Sequence, residues 1–166
     1  MALYFLDSSA VVKRYIHEIE LGPLTGHTWM GTLCALAASG AHQLVISQLA
    51  RVEVVSTFHK KARANAIKHV ELDKILRDFA ADCATDYAIW PVPEVAFNRA
   101  TALIRTHGRT RDIRSLDAIQ LTGCLDVRAS ALAAGGPSPI FVCADTKLLN
   151  VATLEGLATE NPNLYP

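Results

Sequence analysis

Leu3-Tyr4-Phe5-Leu6-Asp7-Ser8-Ser9-Ala10-Val11-Val12-Lys13-Arg14-Tyr15 joins two kinds of structure through one carboxylate. Residues 3–6 are a short apolar run that reads as a strand. Val11, Val12, Tyr15 and Ile16 then fall on or near one face of a helix over residues 8–17. Asp7 stands at the junction. The same alternation continues along the chain. A helix over 28–39 closes at Gly40, a second strand covers 43–46, and Ser47 caps a helix running to about Arg63. Leu72, Ile75, Leu76, Phe79 and Cys83 recur at helical spacing. A third strand over 87–92 is bounded by Pro91 and Pro93, and a helix over 94–107 stops at Gly108. After the basic loop 109–114, a helix over 115–134 ends at Gly135-Gly136-Pro137. A fourth strand over 140–144 meets Asp145, and a last helix spans 146–155. Strands alternating with helices imply crossover connections, so the fold class is α/β, with a mostly parallel sheet and helices on both faces.

The bulk numbers agree with one globular domain spanning 1–166: 51% of the 166 residues are hydrophobic and 19% are charged. Sixteen basic and sixteen acidic residues cancel, so any nucleic acid must be held locally and not by overall charge. The amino terminus has no basic region ahead of its apolar run, and Asp7 interrupts that run, so no signal peptide is expected there. Residues 21–50 carry no formal charge, but Gly22, Pro23, His27, Gly40, His42 and Gln43 break them up. The longest apolar piece, 29–38, is too short to span a membrane. Its Trp29, Met30 and Leu33 suit either the core or a groove for a partner helix or second subunit. Cys34, Cys83, Cys124 and Cys143 are widely spaced in apolar surroundings, as expected of buried free thiols in a reducing cytoplasm.

Ligands of open parallel sheets bind outside the carboxyl ends of the strands. Asp7 and Asp145 both leave such ends, and Glu53 lies in the second turn of the helix that follows the second strand. Asp117 opens the helix after the basic loop. Each aspartate alone is equally well explained as a helix-terminus residue, with capping worth about 1 kcal/mol. Glu53, flanked by apolar residues, is less easily explained that way. Gathered at one edge, the four carboxylates repel and their pKa values rise unless a cation joins them. Hard oxygen donors select Mg²⁺ or Mn²⁺, and no His or Cys pattern suits zinc. Such a cation directs water at a phosphodiester, which is nuclease chemistry.

These residues resemble the PIN-domain ribonucleases, and within them the VapC-type toxins of toxin-antitoxin pairs. The resemblance runs through residues 4–15, then Ser47-Gln48-Leu49-Ala50-Arg51-Val52-Glu53-Val54 and Leu116-Asp117-Ala118-Ile119-Gln120-Leu121. It continues through residues 141–149, Glu155-Gly156-Leu157 and Asn161-Pro162-Asn163. It implies a three-layer α/β/α sandwich, a homodimer and endonucleolytic RNA cleavage dependent on Mg²⁺ or Mn²⁺. It also implies inhibition by a cognate VapB-like antitoxin. Asp7, Glu53, Asp117 and Asp145 match the family's acidic set, as catalytic residues and metal ligands. Ser8 matches its small hydroxyl residue, which hydrogen-bonds the first carboxylate or a metal-bound water. Two departures stand out: Cys143-Ala144 replaces a hydroxyl residue often found before the last Asp, and residues 21–43 are longer than in compact members.

Arg105, His107, Arg109, Arg111 and Arg114 form the densest basic stretch and lead into Asp117. Arg109, Arg111 and Arg114 suit RNA phosphates beside the acids or a solvated loop, while Lys13 and Arg14 suit the cleft or the surface. The second basic stretch, Lys60, Lys61, Arg63 and Lys68, reads as a solvated helix end. The competing reading of the whole is a catalytically silent RNA-binding or scaffold subunit. A phosphotransfer domain with Asp7 as nucleophile finds no D-x-D pattern.

Overall fold

Alternate residues of the central strand, β1 (Ala2–Leu6), enter two different cores. Leu3 and Phe5 pack in one, and Leu6 in the other. A strand buried on both faces belongs inside a parallel sheet. The computed structural model describes residues 1–16 and 25–166 and places β1 at the centre of five parallel strands. The others are β2 (His42–Ser47), β3 (Tyr87–Trp90), β4 (Ile140–Val142) and β5 (Ala158–Glu160), in the order β3-β2-β1-β4-β5. In register, Leu6 pairs with Ile46 and Val142, Ser47 with Trp90, and Val142 with Glu160. The carboxyl ends therefore form one edge.

Leu6, Leu44, Ile46 and Val142 face α1 (Ser8–Tyr15), α2 (His27–Ala38), α3 (Gln48–Arg63) and α4 (His69–Thr85). Phe5, Val45 and Phe141 face the opposite layer, α5 (Glu94–His107), α6 (Ser115–Ala133) and α7 (Thr146–Leu154). The result is the expected α/β/α arrangement. After β3 the chain returns past β1 to form β4, so the strand order reverses at β1 and β4, where a binding crevice is expected.

Departures from the expected elements have local causes. The third strand stops at Trp90 because Pro91 has no N–H for the ladder. The fourth is shorter than expected, although Cys143 N–H still donates to Glu160 O at 3.1 Å. β5 was unforeseen, since Ala158-Thr159-Glu160 carries no apolar alternation; it is followed by a 3₁₀ turn at Pro162–Leu164. Gly40, at φ 80°, follows α2 as expected, and Trp29 stacks on Tyr165 while Met30 and Leu33 enter the core. The end expected at residue 17 and the start of the 21–50 segment lie outside the described residues. Among the described residues no helix is long and apolar enough to cross a membrane. All four cysteines are free; Cys34, Cys124 and Cys143 are buried and Cys83 is half-buried.

Candidate active site

Asp7 continues β1 by one residue, its N–H donating to Val142 O at 2.9 Å. Its side chain caps α1: Oδ2 accepts from Ser9 N–H at 3.0 Å and from Ser9 Oγ at 2.5 Å. At 6% exposure this carboxylate needs such donors. The hydroxyl on Asp7 is thus that of Ser9, which leaves Ser8 the other role the resemblance allowed, toward a metal-bound water. A cap accepts from the second residue of its helix, and Ser9 is that residue. The Ser8 hydroxyl acts instead on Glu53, whose pKa it lowers.

Ser9 also resolves the departure at Cys143-Ala144. Its Oγ accepts from Ala144 N–H at 3.0 Å and lies 3.5 Å from Cys143 Sγ, and that thiol in turn donates to Asp7 Oδ2 at 3.5 Å. A hydroxyl is therefore present between the two strand ends, carried by α1 and not by the segment before Asp145. The sequence signal was Ser9 itself, within the quoted motif.

The other acids are held in the same local way. Asp145 is exposed and caps α7, with Oδ1 accepting from Lys147 N–H at 2.7 Å. Asp117 is half-buried in the first turn of α6, with Oδ2 accepting from Arg114 N–H at 3.3 Å. Glu53 is half-buried on α3, with Oε2 accepting from Gln120 Nε2 at 2.6 Å. All three aspartates thus serve helix termini. Burial raises the Glu53 pKa; hydrogen bonds from Gln120 and Ser8 oppose this, while the charges of Asp7 and Asp117 add to it. Burial likewise raises that of Asp117, with the charges of Asp7 and Asp145 adding to it and the Arg114 N–H opposing. These couplings bring the four acids into one electrostatic cluster at the strand-end edge.

As the side chains stand, no group of three or more His, Cys, Asp or Glu among the described residues is drawn tightly enough to hold a metal ion. The donor chemistry suits a hard divalent cation, with four carboxylates and no nitrogen or sulfur ligand required. Asp7, Asp117 and Asp145 each commit one oxygen to a helix terminus and keep the other for a cation.

The basic residues divide. The 109–114 loop lies between α5 and α6, with Arg109, Arg111 and Arg114 exposed, and the Lys147–Asp112 ion pair at 2.6 Å ties it to the start of α7 beside Asp145. Lys13 is buried and lines a cavity of about 370 Å³ with Ser8, Ser9, Thr57, Lys61 and Asn163. Arg14 instead lines a cavity against α4 with Glu71, Asp78 and Asp82, so the pair does not share one role. His107 pairs with Glu155 at 2.6 Å, away from the acids.

Gln120 received no role from the sequence, although it stood in the quoted motif. The signal was a polar residue in the apolar run Ala118-Ile119-Gln120-Leu121, one turn after Asp117.

No protein-family model matches the sequence, and neither does any curated protein. Solved structures do share the fold. A crystal structure of VapBC2 from Rickettsia felis, bound to a DNA fragment from their promoter, superposes with a TM-score of 0.59 at 15% identity, covering 96% of this chain and 98% of that chain. FitAcB from Neisseria gonorrhoeae gives 0.58 at 15%, covering 96% and 97%. At this identity the likeness is one of fold, and it is the PIN-like α/β architecture that the motif resemblance implied.

Proposed function

We propose that the chain is a metal-dependent endoribonuclease of the VapC type, the toxin of a toxin-antitoxin pair, acting as a homodimer in the cytoplasm. The observation that carries this reading is the gathering of Asp7, Glu53, Asp117 and Asp145 at the carboxyl edge of a parallel sheet, where burial raises the pKa values of Glu53 and Asp117 and the neighbouring acids add to both. The shared fold with VapBC2 supports the toxin reading and a VapB-like antitoxin as partner. Asp7, Asp117 and Asp145 would hold Mg²⁺ or Mn²⁺, with Glu53 as a fourth ligand or acting through water. When bound, the cation supplies charge for the phosphate oxygens and activates water for in-line attack. Ser8 and Gln120 orient Glu53, Ser9 orients Asp7, and Lys13 with the arginine loop holds the RNA backbone.

Two expected results follow from the charges. Arg109→Ala with Arg111→Ala should weaken RNA binding alike across sequences. It should also flatten the salt dependence by about 0.7 in log–log slope per lost phosphate contact, which filter binding at several salt concentrations measures. The second concerns stability. Glu53 and Asp117 have raised folded-state pKa values, so the folded chain holds more protons than the unfolded chain between about pH 4 and those raised values. Their contribution to stability therefore falls as pH rises through that window, and the deficit is complete above it. A cation that binds the ionised acids removes the deficit, so Mn²⁺ should raise the melting temperature more at pH 7 than at pH 4.5. An equal shift at both would count against the cluster.

The silent RNA-binding reading draws on the absence of a preformed three-ligand group among the described residues. Sequencing RNA ends after induced expression separates the two. New ends that appear with the native chain and vanish with Asp7→Asn support hydrolysis. Their absence favours the silent subunit. Copurification with a small co-encoded protein tests the antitoxin.

A further inference from the structure

Gln120 is 1% exposed, and both ends of its amide are engaged. Ser47 Oγ donates to Gln120 Oε1 at 2.7 Å and accepts from Ala50 N–H at 2.9 Å; Ser47 itself is fully buried. Gln120 Nε2 donates to Glu53 Oε2 at 2.6 Å. The sense of the amide is thereby settled, since an oxygen facing a carboxylate at that distance would set two acceptors against each other. The relay runs from the backbone of α3, through the Ser47 hydroxyl at the end of β2, across to α6, and back to α3 at Glu53. Ser47 serves as the N-cap of α3, so the anchor of the relay is as rigid as the strand end itself.

We propose that Gln120, locked by Ser47, is a positioning residue for the hydrolysis: it holds Glu53 by Oε2 and so fixes how the carboxylate is presented to the acid cluster. This rests on the nuclease reading above. A buried glutamine serving the core alone would need its hydrogen bonds made, but it would not need one of them made to a member of the cluster. Groups that orient metal-binding side chains typically change metal affinity or activity by about 10–100-fold when removed.

The test is Gln120→Met, close in size and without an amide, made in the native chain and in Glu53→Ala. Mn²⁺ affinity is read by water proton relaxation, RNA cleavage by kcat and KM, and folding by thermal melts. The expected result is roughly tenfold weaker Mn²⁺ binding and a similar fall in kcat, with KM for RNA unchanged, and no further Mn²⁺ loss in the Glu53→Ala background. A change under twofold, or an equal loss in both backgrounds, overturns the proposal. A second measurement needs neither a folded Gln120→Met nor activity. The side-chain amide resonances of Gln120 in the native chain, assigned by triple-resonance NMR, should move when Glu53 becomes alanine. Amide resonances that stay in place overturn the positioning role. If the native chain neither binds Mn²⁺ nor cleaves RNA, the nuclease reading fails, and the amide resonances alone decide whether Gln120 orients Glu53.

Discussion

Asp7→Asn should lower RNA cleavage a hundredfold or more while leaving the melting temperature of the metal-free protein unchanged or higher. The two halves of this result have different origins. Asparagine caps a helix about as well as aspartate, and its side-chain oxygen can still accept from Ser9 N–H and Oγ, so α1 keeps its start. The substitution removes a charge that presses on both Glu53 and Asp117, which relieves the folded state at neutral pH. That same charge is what a cation needs. Charge stabilisation by a metal amounts to several kcal/mol in the transition state, and about 1.4 kcal/mol is a factor of ten in rate. Single-turnover cleavage and thermal melts on the two proteins check both halves. Cleavage by Asp7→Asn within tenfold of the native rate, or a fall of many degrees in melting temperature, would contradict the account.

Gly123→Val should lower stability and cleavage together. Gly123 lies on α6, three residues after Gln120 and six after Asp117, and turns toward the sheet. A Cβ there would sit 2.7 Å from Phe5 Cζ and 2.7 Å from Trp90 Cε3. Phe5 is fully buried in the central strand and meets the half-buried Trp90 edge-on, so the Phe5 ring has no free space to retreat into. The helix must lift instead. Overpacking of this kind costs about 1–3 kcal/mol, with roughly 2–4 °C of melting temperature per kcal/mol in a chain of this size. Because α6 carries Asp117 and Gln120, the lift also moves them relative to Asp7 and Glu53. A displacement of about 1 Å can cost a hundredfold in rate. Gly123→Ala should give a smaller loss of the same kind. Melting temperatures for both variants within a degree of the native value would show that the helix is not seated as described.

The sequence carried the parts of this architecture that depend on apolar periodicity. The β1, β2 and β4 regions were recognisable because both faces of each are buried, and Asp7, Ser47 and Asp145 were recognisable because each ends such a run. β5 was not, because a three-residue edge strand owes its place to pairing with β4 and not to its own side chains. The acids could be proposed as a set from strand ends and motif resemblance, but their mutual coupling depends on how α3 and α6 lie across the sheet. The same holds for their partners. Ser9, not Ser8, bonds Asp7 because helix geometry decides which hydroxyl turns back to the cap. Gln120 reaches Glu53 across a separation of 67 residues that no local pattern announces. Lys13 and Arg14, adjacent in sequence, enter different cavities because neighbouring helical positions point about 100° apart.

The most direct measurement is cleavage of RNA by the purified native chain in Mg²⁺ or Mn²⁺, then in excess chelator, then after the cation is restored. The account predicts cleavage that stops in chelator and resumes on restoration. Cleavage undiminished in chelator, or none at any divalent concentration, would contradict it.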